Sequence, residues 1–239
     1  MKPDGHVVLI TGGATGIGFA LAAKFLAMGN RVVVVGRSEA ALQKAKQLLP
    51  EISTCVADVS LGSDRERLVA LYPDITVLVN NAGVQVYKPI AESTPQEIEQ
   101  EISINFTAPI LLSLAFLPLL QSRESAAIIN ITSGLALVPK QATAIYCATK
   151  AALHSTSKSL RWQLEGSSVK VFEVLPPFVE TAMTAHRGGG GMKPEQLVDA
   201  FWRGFAADRY EMLIGSTKLL KLINRVSPML AERLVRRRV

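Results

Sequence analysis

Residues 11–18 read TGGATGIG, and they stand between a run of β-branched residues and a helical pattern. A strand-to-helix turn that binds a dinucleotide needs glycine at three places: in the tight turn, where backbone approaches a pyrophosphate, and where helix packs on strand. Gly12, Gly16 and Gly18 stand at those offsets. The segment therefore predicts a dinucleotide site with the pyrophosphate at a helix N-terminus. The alternative is a glycine-rich turn that binds nothing.

Short apolar runs alternate with helical patterns along the chain, and the runs show little polar alternation, which is typical of parallel strands covered on both faces. We expect an α/β, Rossmann-type, doubly wound sheet of seven mostly parallel strands with helices on both faces. Ligands of such sheets bind at the carboxyl ends of the strands. The predicted strands are residues 6–11, 31–36, 52–57, 74–80, 125–132, 169–175 and 210–215, and the predicted helices are 16–29, 38–49, 62–72, 95–121, 143–166 and 194–208.

Length and composition predict a single domain over residues 1–239, because 239 residues that are 49% apolar can bury a large core. The two cysteines, Cys55 and Cys147, form no spaced framework, and the N-terminal segment shows no signal-peptide pattern. We therefore expect a cytoplasmic protein, and no metal site.

The net charge of +6 is confined to the end of the chain: residues 218–239 hold seven basic residues and one acid, and 7 − 1 = +6. A nucleic-acid-binding domain needs a basic face on its body, so we expect no nucleic-acid partner. The longest apolar stretch, residues 108–120, is shorter than a membrane span and is interrupted by Ser113 and Pro118.

The end of the second strand predicts the cofactor. A carboxylate there binds the ribose 2′-hydroxyl of NAD, whereas an arginine accommodates the 2′-phosphate of NADP. The chain has Arg37 and Ser38 at this place, so NADP(H) is favoured over NAD(H). Asp58, after the third strand, could reach an adenine amino group. A solvated Arg37 and an Asp58 that only caps a turn are the alternatives.

Further motifs appear in order, and together they resemble the short-chain dehydrogenases/reductases over nearly the whole chain. More narrowly, SGLALVP, YCATKAALHS and VLPPFVET resemble the DltE-like branch of that family. The motifs are TGGATGIG at 11–18, Asp58–Val59, NNAG at 80–83, Asn105, Ser133, and Tyr146 with Lys150 in YCATK.

The resemblance implies a catalytic set of Asn105, Ser133, Tyr146 and Lys150. Tyr146 would donate a proton to the carbonyl oxygen, where negative charge builds up as the hydride is delivered to the carbonyl carbon. Lys150 stands at i+4 on the same helical face, and its charge is expected to lower the pKa of the phenol. Ser133 would hold the substrate oxygen, and Asn105 would help to hold a water that links Lys150 to solvent.

The resemblance also implies a cofactor-binding set, in which Asn81 braces the sheet and Thr181 bonds the nicotinamide carboxamide. Where the family has Pro-Gly after the sixth strand, this chain has Pro176 and Pro177, which stiffens the loop and removes an N–H. The full set is Gly12, Thr15, Gly16, Ile17, Gly18, Arg37, Ser38, Asp58, Val59, Asn81, Ala82, Gly83, Tyr146, Lys150, Pro176, Val179 and Thr181.

Residues 176–209 are expected to form the substrate loop and lid, with a mobile glycine run at 187–191. Apolar residues on both walls favour an apolar or aromatic carbonyl substrate. His186 is either a polar selector or a bystander. The expected substrate contacts are Ser133, Leu135, Tyr146, Phe178 and Met183, with Gln85, Val86 and Val138 on the opposite wall.

Residues 216–239 form a basic amphipathic extension in place of the family's glycine-rich C-terminal finish, which puts the usual tetramer in doubt. Its predicted apolar stripe is Leu219, Ile223, Val226 and Leu230. The stripe packs on the body or across a homodimer, or it lies peripherally on an anionic membrane.

Together these features predict an NADPH-dependent carbonyl reductase or alcohol dehydrogenase acting on a small apolar or aromatic ketone, aldehyde or diketone. An NADP(H)-binding sensor, or an interaction protein with a membrane- or partner-binding basic tail, is the alternative. An intact catalytic set weighs against a sensor, because sensing requires no poised acid.

Overall fold

A computed structural model describes residues 1–236, apart from the side chain of Arg187; the last three residues of the predicted basic extension lie outside the described part. Seven strands form one sheet in the order β3-β2-β1-β4-β5-β6-β7, and every neighbouring pair is parallel. The predicted fold class is confirmed. The strands are β1 (Val7–Thr11), β2 (Arg31–Gly36), β3 (Ser53–Val56), β4 (Val77–Asn80), β5 (Ala126–Ile131), β6 (Val169–Leu175) and β7 (Glu211–Leu213).

Helices cover both faces of the sheet. The segment predicted as one helix over 95–121 is helical throughout, but a π-helical turn at Ser103–Thr107 interrupts it. The helices are α1 (Gly16–Ala27), α2 (Glu39–Leu48), α3 (Gly62–Leu71), α4 (Pro95–Ile102), α5 (Ala108–Gln121), α6 (Ala144–Gln163), α7 (Pro194–Ala206), α8 (Thr217–Val226) and α9 (Pro228–Val235).

Two apolar cores sandwich the sheet. On one face α1, α2 and α7 pack through an aromatic cluster in which the rings of Phe25 and Phe205 are 5.9 Å apart. On the other face α3, α5 and the end of α6 pack through residues such as Leu68 and Phe116. Every residue of β4 and β5 is buried, because both of their faces are covered.

Among the described residues, one helix is long and apolar enough to cross a membrane: the composite helix over Pro95–Gln121. No such segment is predicted from the sequence. Leu112, Phe116 and Leu120 of α5 are buried in the second core. The helix therefore lies where a core helix of an α/β sheet lies, and such a core helix can be as long and as apolar as a membrane-spanning helix.

The C-terminal helices pack on the body through a different face from the predicted one. Leu220 and Ile223 of α8 join Ala231 and Val235 of α9 in a third apolar cluster around Val138. Most of the predicted stripe points to solvent instead: Leu219, Val226 and Leu230 are exposed, and only Ile223 packs. Packing of the whole stripe on the body is therefore wrong, because α8 carries apolar residues on more than one face and docking selects the face that is buried. The homodimer and the membrane contact stay predictions.

Candidate active site

The glycine turn between β1 and α1 has the backbone that an anion site needs. Gly12 and Gly16 have φ of +62° and +55°, in the left-handed region that disfavours side chains. A Cβ on Gly12 would meet the Cα of Ala82 at 2.9 Å. The N-cap residue of α1, Thr15, makes no side-chain cap hydrogen bond, and the first turn of α1 holds no acid. The turn therefore fits the pyrophosphate of a dinucleotide cofactor.

A cavity of about 350 Å³ opens beside this turn, at the carboxyl ends of the central strands. It gathers most of the residues predicted for the cofactor, the reaction and the substrate. The predicted residues that line it are Gly12, Thr15, Gly16, Ile17, Asn81, Ala82, Gly83, Gln85, Ser133, Leu135, Tyr146, Lys150, Pro176, Phe178, Val179, Thr181 and Met183.

The residues predicted to select NADP lie outside this cavity, beside the end of β2. The guanidinium of Arg37 is 3.7 Å from the carboxylate of Asp58, and the Arg37 side chain is 51% exposed. An exposed ion pair of this length contributes little, so the guanidinium is accessible to a phosphate. Ser38 caps α2 by accepting from the N–H of Ala41 at 3.2 Å.

Asp58 has a local structural role in addition to its ion pair. Its carboxylate accepts hydrogen bonds from the N–H and the hydroxyl of Ser60, at 2.9 and 2.6 Å. The side chain of Val59 is buried in the second core. Gly18, which packs α1 against the turn, lies next to Asn81. Gly18 thus belongs to the glycine turn, whereas Asp58 and Val59 make local contacts after β3.

Asn81 braces the turn from the neighbouring strand β4. Its side-chain amide donates to the carbonyl oxygens of Thr11 and Gly12, both at 3.0 Å. The hydroxyl of Thr11 in turn accepts from the N–H groups of Asn81 and Ala82. The NNAG segment thus acts structurally, as the sequence predicts, and it also places Ala82 and Gly83 at the cavity.

Tyr146 and Lys150 lie one turn apart near the start of α6. Lys150 is buried, and its Nζ donates to the carbonyl oxygen of Ile131 at 2.8 Å. Burial lowers the pKa of Lys150 to about 8, and the nearby carboxylate of Glu101 acts in the opposite direction.

The expected lowering of the tyrosine pKa by Lys150 is wrong for the protein without cofactor. Desolvation raises the pKa of Tyr146 to about 12, although a hydrogen bond with Ser133 acts to lower it. The Nζ of Lys150 lies 5.7 Å from the centre of the Tyr146 ring. Desolvation is therefore the largest influence on the pKa of Tyr146, which is a protonated phenol at neutral pH.

Asn105 lies in the π-helical turn between α4 and α5, and π turns of this kind are frequent at functional sites. Its side chain accepts from the N–H of Val84 and donates to the carbonyl oxygen of Val84, each at 2.8 Å. It also donates to the hydroxyl of Thr149 at 3.3 Å. A Cβ on Gly83 would be 3.2 Å from Asn105 and 3.8 Å from Lys150, so Asn105 lies behind the cavity wall, next to the lysine.

Parts of the predicted substrate wall lie elsewhere. Val86 and His186 do not line the cavity, and the His186 ring packs at a tilt of 51° against Tyr87, with centroids 4.6 Å apart. Val138 is buried in the third cluster, against α9. Leu220 and Val235 line the cavity instead, so the C-terminal extension forms part of its wall.

Sequence reasoning missed Glu101 and Lys140. Glu101 is buried, accepts from the N–H of Val86 at 3.1 Å, and has a pKa raised by burial. An acid four residues before Asn105 on one helical face was the available signal. Lys140, on the loop between β5 and α6, lines the cavity and is also buried. Nothing in the local sequence distinguishes it from an exposed lysine.

The chain is similar to known proteins over most of its length. The family model for short chain dehydrogenases matches residues 6–189. An uncharacterized oxidoreductase of Bacillus subtilis, DltE, is 44% identical over 88% of this chain and 83% of its own length. The NADP-dependent 3-hydroxy acid dehydrogenase YdfG of Salmonella typhi is 31% identical over 82% of this chain and 87% of its own.

Solved structures show the same fold. A short chain dehydrogenase from Burkholderia cenocepacia in complex with NADP superimposes with a TM-score of 0.90, at 26% identity, over 98% of this chain and 99% of its own. An enzyme from Burkholderia phymatum in complex with NAD has a TM-score of 0.88 at 23% identity, over 100% of this chain and 98% of its own. The chain therefore belongs to the short-chain dehydrogenase/reductase family, in its DltE-like branch.

Proposed function

We propose that the protein is an NADPH-dependent carbonyl reductase, reversible as an alcohol dehydrogenase, with Tyr146 as the proton donor. One observation carries the proposal: Ser133, Tyr146 and Lys150 meet in a single cavity that the glycine turn before α1 also lines. A bound nicotinamide cofactor would supply the hydride. The protein supplies orientation and the proton.

Tyr146 suits the role of an acid because it holds its proton at neutral pH, with a pKa raised to about 12. Transfer of that proton to the substrate oxygen leaves a phenolate. The ammonium of Lys150, in a buried site where charges interact strongly, stabilises this phenolate. The hydroxyl of Ser133, which already hydrogen-bonds Tyr146, holds the substrate oxygen beside the phenol.

Preference for NADP(H) rests on Arg37, which is exposed beside the end of β2 and only loosely paired with Asp58. The YdfG relative is an NADP-dependent enzyme, and the Burkholderia cenocepacia structure is a complex with NADP. The Burkholderia phymatum enzyme binds NAD. The preference is therefore argued from Arg37 of this chain.

The cavity wall supports a substrate with an apolar body. Leu135, Phe178, Met183, Leu220 and Val235 line the cavity, and apolar walls with few polar groups bind apolar molecules in a fixed orientation. The substrate class is thus an apolar or aromatic ketone, aldehyde or diketone.

The test is loss of NADPH absorbance with a panel of ketones, aldehydes and diketones, beside NADH and beside Tyr146→Phe. Tyr210→Phe is the matched control, because Tyr210 is partly exposed and lies away from the cavity. Turnover that is abolished only in Tyr146→Phe supports the proposal. Equal turnover in Tyr146→Phe would contradict it, and tight NADPH binding with no turnover across the panel would favour a sensor.

The exposed apolar side chains of α8 and α9 support the proposals of a homodimer or of peripheral membrane contact. Leu219, Leu222, Val226 and Met229 are each more than half exposed, next to basic residues that suit anionic lipid. Light scattering distinguishes monomer from dimer. Co-sedimentation with anionic vesicles at low and high salt tests the membrane contact, and binding that salt removes is electrostatic.

A further inference from the structure

Lys140 is a buried cation whose charge has no partner. Its side chain is only 5% exposed, and within residues 1–236 its Nζ has neither a hydrogen-bond acceptor nor an ion-pair partner. The main chain around it is fixed, since its N–H donates to the sulfur of Cys147 at 3.3 Å. The lysine is therefore held in place by its backbone, while its ammonium is left unsatisfied.

Burying an ammonium without an acceptor is unfavourable, and most buried charges are paired. Among the described residues the one compensating contact is a cation–π contact, in which Nζ lies 4.7 Å from the centre of the Tyr87 ring. It supplies neither a hydrogen-bond acceptor nor a negative charge. Lys140 also lines the cavity that holds Tyr146. A buried, unpaired ammonium on a residue that lines the reaction cavity is the arrangement expected of a group that awaits its partner in a ligand.

The charge balance of the cavity points the same way. Among the described residues, those that line it include two lysines, Lys140 and Lys150, and no aspartate or glutamate. Lys150 already has a role, because it donates to Ile131 and lies beside Tyr146. The pyrophosphate of a bound cofactor would lie at the N-terminus of α1, so Lys140 is the positive charge left for the substrate.

We propose that the substrate is an oxo acid or hydroxy acid, whose carboxylate pairs with the ammonium of Lys140 while its carbonyl lies at Ser133 and Tyr146. A carboxylate fits better than a phosphate, because it carries one charge, whereas a phosphate carries about two and needs more donors. The apolar walls hold the body of the molecule between the two polar ends. This assignment rests on the reductase function proposed above and specifies its substrate class.

The experiment compares oxo acids with their neutral esters. Benzoylformate, benzoylpropionate and benzoylbutyrate place the ketone at increasing distances from the carboxylate, and each is assayed with NADPH beside its methyl ester. At the best spacing the acid has the higher kcat/KM. Lys140→Met lowers kcat/KM for that acid roughly 10- to 100-fold, the range for a lost charged hydrogen bond, and lowers kcat/KM for the ester by a much smaller factor.

Two variants serve as controls. Lys140→Arg keeps the charge and restores part of the preference for the acid. Lys158→Met removes an exposed lysine that also lies over an aromatic ring, Trp162, and changes neither substrate. Acids and esters that are used equally well by the unmodified protein would overturn the proposal.

Thermal unfolding separates recognition from a structural role. Lys140→Met removes an uncompensated buried charge, so the cofactor-free variant has an unchanged or higher Tm. A lower Tm with equal losses for acid and ester would make Lys140 structural and overturn the proposal. If Tyr146→Phe retains turnover while Lys140→Met still loses its preference for the acid, only the reductase mechanism is overturned.

If no compound on the panel is turned over, calorimetric titration of phenylbutyrate into the NADP⁺-bound protein replaces the kinetic test. Binding that Lys140→Met weakens roughly 10-fold or more supports the carboxylate site. Equal affinity for both proteins would overturn it.

Discussion

The Nζ of Lys150 lies 5.7 Å from the centre of the Tyr146 ring, and the two groups have pKa values that burial has moved in opposite directions. The pKa of Tyr146 is raised to about 12, and the pKa of Lys150 is lowered to about 8. Desolvation disfavours the charged form of each group. The pair therefore has a firmly protonated acid beside a cation that is easily lost above neutral pH.

This ordering predicts the pH dependence of carbonyl reduction. Turnover needs both the phenol proton and the lysine charge, so kcat/KM should fall as pH rises through about 8, where Lys150 loses its proton. Lys150→Met should remove this fall, the alkaline limb of the pH profile. It should also lower kcat/KM by roughly 10²- to 10³-fold, as loss of an electrostatic stabiliser does. Initial rates between neutral and strongly alkaline pH measure both. A limb near pH 8 that survives in Lys150→Met would belong to another group.

Glu101 should control the position of that limb. Its carboxylate raises the pKa of Lys150, so Glu101→Gln should move the limb to lower pH. The glutamine amide oxygen can still accept from the N–H of Val86, which keeps the local structure. Glu99→Gln, an exposed change on the same helix, is the matched control. A limb that stays in place in Glu101→Gln, with kcat/KM unchanged, would show that Glu101 only supports the loop.

Burial of Lys150 also predicts a gain of stability on its removal. Below pH 8 the lysine is charged in both the folded and unfolded states, and the folded state bears the desolvation cost. Relative to the ordinary pKa of 10.5, a shift to about 8 corresponds to up to about 3 kcal/mol, and the lost hydrogen bond to Ile131 offsets about 1 kcal/mol of it.

Lys150→Met should therefore unfold at higher denaturant concentration than the unmodified protein at pH 7. Between pH 8 and 10.5 the folded protein releases the proton and the unfolded protein retains it, so the unmodified protein gains stability and the difference shrinks. Denaturant unfolding of the cofactor-free proteins across this range measures it. A difference independent of pH would point to packing of the methionine instead.

Arg37 should determine the choice between the two nicotinamide cofactors. Arg37→Ala removes the cation expected to meet the 2′-phosphate, so it should weaken NADPH binding by roughly 10- to 100-fold and NADH binding by much less. Fluorescence titration with both cofactors measures this. Lys44→Ala, an exposed change on α2, controls for the general loss of positive charge. Equal losses for NADPH and NADH would remove Arg37 as the selector.

The sequence predicts those features that depend on neighbours along the chain. Glycine spacing locates the turn at Gly12 and Gly16, and the i, i+4 pattern places Tyr146 and Lys150 on one helical face. Contacts between distant segments have no such local signal. Lys140 resembles any polar loop residue until its burial is known, and the pKa of Tyr146 is set by desolvation that only the folded chain creates.

The buried face of α8 is a third feature that has no local signal in the sequence. Leu219 and Leu220 are adjacent, and amphipathicity alone favours a stripe through Leu219. The folded chain exposes Leu219 and turns Leu220 toward the cavity, because α8 docks against α9 and the loop around Val138. Helical periodicity defines the possible faces, and tertiary packing selects among them.

That docking predicts a contribution of the C-terminal extension to substrate binding. Leu220→Ala should enlarge the cavity beside the substrate and remove apolar contact, which raises KM for bulky apolar ketones by about 5- to 10-fold. The KM for NADPH should change by less than about twofold, since Leu220 belongs to the C-terminal extension and not to the glycine turn that fits the pyrophosphate. Leu222→Ala, on the same helix but 59% exposed, is the matched control and should change neither. Steady-state kinetics with one large and one small ketone measure the effect, and equal KM changes in Leu220→Ala and Leu222→Ala would show that α8 does not form the substrate wall.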